Sequence, residues 1–336
     1  MKKKVFITGL TGMVGSHLLD YLHINTDWEI HGLIRWRSPL DNIEHHLDEI
    51  NQKKRIHLHY GDLRDSKSLN DIFKTLKPDY IFHLAAQSFP KTSFSAPIDT
   101  YETNILGSSN LLESIKNFSK DSLVHVCSSS EIFGRVSKDK IPIVEDCSQH
   151  PASPYAISKI GTDNLARFYF EAYGLKILTT RMFTHTGPRR GDVFAESSFA
   201  KQIAMIENDL IPPKIKVGNI ESLRTIADVR DAVRAYYLLL THNPIPGEVY
   251  NIGGNHSCKI IDIIEYLIKQ SKISISYEVD KDRLRPIDAD LQIPNINKFA
   301  KHTGWKPEIN FEKTMNDLLD YWRNQVKDKK KKFLSR

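Results

Sequence analysis

Val5-Phe6-Ile7 runs directly into Thr8-Gly9-Leu10-Thr11-Gly12-Met13-Val14-Gly15, after which Leu18, Leu19 and Leu22 recur at helical spacing. An apolar strand that breaks at a glycine triplet and continues as a helix is the setting in which such a turn binds a dinucleotide. Gly9 permits the tight turn, Gly12 lets backbone approach a pyrophosphate, and Gly15 allows close packing of the helix. The helix N-terminus then faces the phosphates. A triplet seen alone would be a bare structural turn; the strand before it and the helix after it favour the cofactor.

The same alternation continues. Short apolar runs at Lys4–Thr8, Glu29–Ile34, Arg55–Tyr60, Tyr80–Leu84, Leu123–Cys127 and Leu175–Thr180 are separated by stretches long enough for helices. This predicts an α/β fold, a doubly wound parallel sheet of the Rossmann kind. Polar residues follow the strands at Arg35, Asp62, Gln87-Ser88, Ser128 to Glu131 and Thr184-His185, and should converge on one crevice at the carboxyl ends. Prolines crowd the chain after Gly187. We therefore expect a dinucleotide-binding domain over 1–187, a mainly substrate-binding lobe over 188–325 and a basic tail over 326–336.

A chain of 336 residues with 40% hydrophobic and 26% charged residues has the composition of a globular protein. No apolar stretch approaches the ~20 residues needed to span a bilayer, and the run after Lys2-Lys3-Lys4 ends too early for a secretory signal. Cys127, Cys147 and Cys258 form neither metal spacing nor a disulfide framework. A cytoplasmic location with no membrane partner follows. Part of the net charge of +6 comes from Lys327 to Lys332. That run reads as a solvated end and not a nucleic-acid patch, and the basic balance suits anionic nucleotide substrates.

Tyr155 and Lys159 stand four residues apart, on one face of a helix turning in about 3.6 residues. An ammonium beside a phenol favours the phenolate, a base able to deprotonate a sugar hydroxyl. Upstream lies Ser128-Ser129-Ser130-Glu131. Glu131 offers a second base, which an alcohol dehydrogenase does not need. Oxidation followed by proton abstraction at the neighbouring carbon is the logic of a dehydratase. Each residue has a plainer role open to it: Tyr155 as a half-buried aromatic, Glu131 as a cap, Asp62 as a loop carboxylate, His185 as a structural histidine, Arg224 in a surface ion pair.

The second strand ends Ile34-Arg35-Trp36-Arg37-Ser38 with no carboxylate for a ribose 2′-hydroxyl. Arg35 and Arg37 can instead pair with the 2′-phosphate of NADP, or face solvent. NADP is the expected cofactor, NAD the alternative.

The motifs ITGLTGMVGSHL, YGDLRD, HLAAQS, SSSEIFG, SPYAISK, HTGPRRGDVF, VGNIESLR, LRPIDAD and TGWKP together resemble the extended short-chain dehydrogenase/reductases, specifically the GDP-mannose 4,6-dehydratase branch, from Lys4 to about Trp322. The resemblance implies a Rossmann domain and a nucleotide-diphosphate sugar substrate. It places Ser129 at the sugar 4-hydroxyl, Glu131 at C5–H with Ser130 beside it, and Tyr155 and Lys159 as the catalytic pair. Ser130 matches this branch where dTDP-glucose dehydratases have an Asp.

Around the cofactor the resemblance implies Thr11, Met13 and Val14 with the three glycines, then Asp62, Leu63, Leu84, Ala85, Ala86 and Ser88, with His185 and Arg190 approaching from the other side. Arg224 and Arg285 would hold the diphosphate. Asp288, with Ser88, Ser129, Thr184 and Ser198, would contact the nucleotide sugar. Departures sit near the sugar: Thr184 for Asn, Phe89-Pro90 for His-Val, Phe133 for Tyr, Ser198 for Lys. GDP-mannose is the expected substrate, with a modified GDP-sugar such as GDP-N-acetylglucosamine or a GDP-manno-heptose next. A 4-epimerase or keto-sugar reductase of the same fold is the rival, a nonenzymatic dinucleotide sensor a more distant one. The resemblance also implies a homodimer or homotetramer.

Overall fold

The computed structural model describes residues 2–327, so the expected basic tail lies, from 328 on, outside the described residues. Six strands follow the apolar runs: β1 (Lys4–Thr8), β2 (Glu29–Ile34), β3 (Ile56–Tyr60), β4 (Tyr80–His83), β5 (Leu123–Cys127) and β6 (Lys176–Met182). β4 stops one residue earlier than the apolar run because the Leu84 N–H turns to the Thr8 hydroxyl at 3.1 Å instead of to a neighbouring strand. β6 runs two residues past its expected end.

Seven further strands complete the set: β7 (His185–Thr186), β8 (Lys214–Val217), β9 (Leu223–Asp228), β10 (Val249–Ile252), β11 (His256–Lys259), β12 (Ser276–Val279) and β13 (Leu291–Gln292). The main sheet has seven strands in the order β3-β2-β1-β4-β5-β6-β10, all parallel. This is the Rossmann-type doubly wound architecture. The order reverses between β1 and β4, and a ligand crevice opens at such a switch point. Strands buried on both faces read as continuous apolar runs, which is why β1, β2, β4, β5 and β6 are legible, whereas β3, at the sheet edge, is only partly buried.

The chain leaves this lobe after about residue 187 but returns to it. After β9 the helix Val229–Thr241 lies against the helix Met13–Asn25, and β10 then joins the main sheet. Ala232, Tyr236, Leu239, Ile252, Phe299 and Trp305 share one core with Val5, Leu18 and Leu22. The second lobe has its own core, centred on Phe199, Ile203, Ile215, Ile264, Leu267, Met315, Leu319 and Trp322. Its sheets are small: β11-β9-β13 with β7 on β9, and β12-β8. Repeated crossings of the chain between the lobes therefore fix the crevice walls.

Candidate active site

Both lobes line a crevice of about 1250 Å³ above the carboxyl ends of β1, β4, β5 and β6. A single small-ligand pocket is roughly 300–1,000 Å³, so this one has room for two adjoining ligands. Gly9 adopts φ +74°, and a Cβ there would come within 2.9 Å of Ala85 backbone. A Cβ on Gly15 would sit 2.2 Å from the Gly9 carbonyl. Both glycines are thus demanded by close approach of backbone to backbone. The helix Met13–Asn25 begins at Gly12 with no side-chain cap and no acid in its first turn. Its first N–H groups stay free to meet an anion.

Thr11, Met13, Val14, Arg35, Asp62, Leu63, Leu84, Ala85, Ala86 and Ser88 line this end of the crevice with the three glycines. Thr8 Oγ1 accepts from Leu84 and Ala85 N–H at 3.1 Å, which fastens the loop after β4 to the glycine turn. Burial opposes charge on Asp62, but hydrogen bonds from the Arg64 backbone and guanidinium hold its carboxyl below the usual carboxylate range. Arg37, expected beside Arg35, is exposed and stands outside the crevice lining. The Arg35–Ser38 turn, which carries both, is closed by two hydrogen bonds of 2.9 and 3.0 Å.

The reacting end is built by β5 and the helix Pro154–Tyr173. Ser153 caps this helix, accepting from Ala156 N–H at 3.0 Å, Pro154 starts it and Gly174 ends it in the left-handed conformation. Tyr155 is thereby fixed in the first turn and Lys159 one turn on. Tyr155 is 8% exposed; burial pushes its phenol well up, against a hydrogen bond shared with Ser129 and the nearby charge of Arg190.

Lys159 is buried, 6% exposed. Its ammonium donates to the Cys127 carbonyl, and burial pulls its pKa down. Ser129 is the group that engages the phenol. Its Oγ also accepts from the Glu131 N–H at 3.2 Å. Ser130 is buried and Glu131 half-buried in the same short turn.

On the far wall Arg224 and Arg285 both reach Asp288 Oδ1, at 3.3 and 3.4 Å, and Arg285 stands 4.0 Å from Glu131. Two guanidiniums thus face two carboxylates. His185 Nδ1 donates to the Phe183 carbonyl at 3.1 Å, and burial, with the charge of Arg190, lowers its pKa to about 4. Arg190 pairs with Glu196 at 3.4 Å and lies 3.4 Å over the Phe194 ring. Thr184 and Ser198 line the same wall.

Sequence reasoning passed over three residues here. Arg283 donates to Ser198 Oγ at 3.2 Å, Arg189 lines the crevice and pairs with Asp20 at 2.7 Å, and Asn42 donates to the Thr11 carbonyl at 2.9 Å. The arginines were in view within the motifs GPRR and RLRP, where only the second of each pair drew notice. Asn42 carries no local signal.

The sequence model of the GDP-mannose 4,6-dehydratase family matches residues 6–318. The chain is 31% identical over 329 residues to GDP-6-deoxy-D-mannose reductase of Pseudomonas aeruginosa, covering 98% of this chain and 100% of that one. It is 32% identical to GDP-mannose 4,6 dehydratase 1 of Arabidopsis thaliana, covering 95% and 89%. Among solved structures, RMD from Pseudomonas aeruginosa complexed with NADPH superposes with a TM-score of 0.82 at 31% identity, covering 97% of this chain and 100% of that one. UDP-glucuronic acid 4-epimerase from Bacillus cereus, in complex with UDP-glucuronic acid and NAD, does so at 0.83 and 26%, covering 96% and 99%.

Proposed function

The chain belongs to the GDP-mannose 4,6-dehydratase family, and on that footing we propose that it is a GDP-sugar 4,6-dehydratase, removing water across C5 and C6 of a GDP-hexose to leave a 4-keto-6-deoxy sugar. The observation that carries this reading is the presence of Tyr155 and Glu131 in one crevice, with the Ser129 hydroxyl hydrogen-bonded to the phenol and to the Glu131 backbone N–H.

The uncapped helix N-terminus, the glycine turn and Arg35 suit NADP, which when bound supplies the acceptor and donor of one hydride, so that none is consumed overall. Tyr155, as phenolate, takes the sugar 4-hydroxyl proton on Oη while Ser129 holds that hydroxyl in place. The resulting ketone acidifies C5–H. Glu131 removes the C5 proton, and the hydroxyl at C6 departs with a proton as water, assisted by the buried Ser130. Lys159, tied to the Cys127 carbonyl, positions the loop after β5. Arg224 and Arg285 neutralise the diphosphate, and Thr184, Ser198 and Asp288 meet the sugar nucleotide. GDP-mannose leads, and a modified GDP-hexose or heptose follows because Phe89-Pro90, Thr184 and Ser198 reshape the wall near the sugar.

A keto-sugar reductase is the second reading, favoured by the full-length match to the Pseudomonas reductase. A reductase has no use for a base at Glu131. Changing Glu131 to Gln should let the sugar be oxidised at C4, seen as reduced nicotinamide, while water loss slows by about 10²-fold or more. Near-normal turnover of Glu131→Gln would overturn the dehydratase assignment.

We place the enzyme in the cytoplasm as a homodimer or homotetramer. Among the described residues no helix is long and apolar enough to cross a membrane. Ile157 and Phe168, 46% and 50% exposed on the catalytic helix, favour pairing through that face. Light scattering that reports a 38.6 kDa monomer would count against it.

A further inference from the structure

Beside the cofactor end, outside the reacting groups, two neighbouring imidazoles aim at one carboxylate oxygen. His45 and His46 close the short turn Asp41–His46, and Nε2 of each stands 2.8 Å from Oδ1 of Asp20 on the helix Met13–Asn25. The other oxygen of Asp20 is held by Arg189 at 2.7 Å. Among the described residues only two groups bring three such donor atoms within 4.8 Å of one another, and His46 belongs to both; the second group is His23, His46 and Glu49.

Hydrogen bonding alone is a poor reason for this arrangement. The first helix is already anchored by Leu18, Leu19 and Leu22, each fully buried. Asp20 already has a cationic partner in Arg189. The set has other properties. Two imidazole nitrogens and one carboxylate oxygen form an N₂O donor set that suits a borderline divalent ion. Arg189 occupies the second oxygen, which leaves Asp20 a single-oxygen ligand of fixed orientation, as outer-shell partners do at metal sites. His46 is buried, His45 is 48% exposed, and the site therefore has both a fixed wall and an entrance.

We propose that Asp20, His45 and His46 bind a divalent first-row transition ion of the zinc class, through Oδ1 and the two Nε2 atoms, with solvent completing the coordination. Ligand bonds of about 2.0–2.1 Å place tetrahedral donors about 3.3 Å apart, so each nitrogen–oxygen distance of 2.8 Å needs to lengthen by only about half an ångström, and the two nitrogens already lie within 4.8 Å of one another. His23 and Glu49, themselves 2.6 Å apart, stand behind His46. The ion joins the turn that carries Asn42, and with it the Thr11 carbonyl, to the helix that begins at the glycine turn. It thus fastens the loop after β2 to the cofactor half of the crevice.

The test is titration of untagged, chelator-treated protein with Co²⁺, read by visible d–d absorption and by calorimetry. One equivalent should bind, with the intense spectrum of a low-coordinate site, and the thermal midpoint should rise. His45→Ala, at the exposed ligand, and His46→Gln, which retains a polar side chain, should each weaken binding by at least ~10-fold. His57→Ala, on β3, should leave it unchanged. Absence of saturable binding near one equivalent, or equal affinity in His45→Ala and the parent chain, overturns the proposal.

Discussion

Arg35 and Arg37 are two residues apart and of one type, yet the fold gives them different surroundings. Arg35 lines the crevice and its charge reaches Asp62, whereas Arg37 faces solvent outside it. A charge-assisted hydrogen bond contributes roughly 1.5–3 kcal/mol, so Arg35→Ala should weaken NADP binding roughly 10- to 100-fold and leave NAD binding nearly unchanged. Arg37→Ala should change neither by more than about threefold. Cofactor titration by fluorescence checks both, and equal losses in the two variants would refute the placement. Tyr155 gives a second residue-scale expectation. Its phenol, pushed up by burial, is drawn back down by the Ser129 hydrogen bond, so Ser129→Ala should lower turnover by about 10²-fold and move the acidic limb of kcat toward higher pH, whereas Tyr155→Phe should abolish turnover. An unchanged rate in Ser129→Ala would show that the phenol needs no such partner.

The glycine turn is the element on which the cofactor half depends. Gly15→Ala would drive a methyl group into the Gly9 carbonyl, 2.2 Å from where a Cβ would sit, and that contact is to backbone that cannot swing away. The variant should lose NADP binding and several degrees of thermal midpoint, read by differential scanning fluorimetry with and without cofactor; a midpoint within one degree of the parent would contradict the packing. Elements of this kind were legible in the chain because their signals are local. A strand buried on both faces is an apolar run, a cofactor turn is a glycine triplet, and Ser153-Pro154 announces a helix start. The return of Val229–Thr241 and β10 to the first lobe was not legible. Its residues are apolar in either lobe, and only their partners decide the matter: the helix Met13–Asn25 for Val229–Thr241, and β6, seventy residues earlier, for β10. For the same reason Tyr155 and Lys159 could be placed on one helix face, while the Cys127 carbonyl that takes the Lys159 ammonium could not be foreseen: it is a backbone group with no letter of its own.

For the whole molecule, the buried histidines set the response to acid. Burial lowers the pKa of His17 and His185 to about 4 and of His31, His83 and His125 to about 3. In the unfolded chain each returns to about 6.5, so below that pH the unfolded state binds more protons and stability falls as pH falls. The loss begins near pH 6.5, grows toward pH 4 with up to ~1.4 kcal/mol per pH unit for each histidine, and is absent above 7. Urea unfolding midpoints at pH 7, 6 and 5 should drop progressively, and a flat profile would contradict the burial of these groups. At this scale also belongs the central claim, that one crevice holds two bases acting in turn on one sugar. Its most direct measurement is incubation with GDP-mannose in D₂O with NADP far below the sugar concentration, followed by mass spectrometry and proton NMR. The account predicts a GDP-4-keto-6-deoxyhexose carrying one solvent deuterium at C5, formed with no net change in NADP. Unchanged or 4-epimerised GDP-mannose, together with stoichiometric NADPH consumption when a 4-keto sugar is supplied, would contradict it.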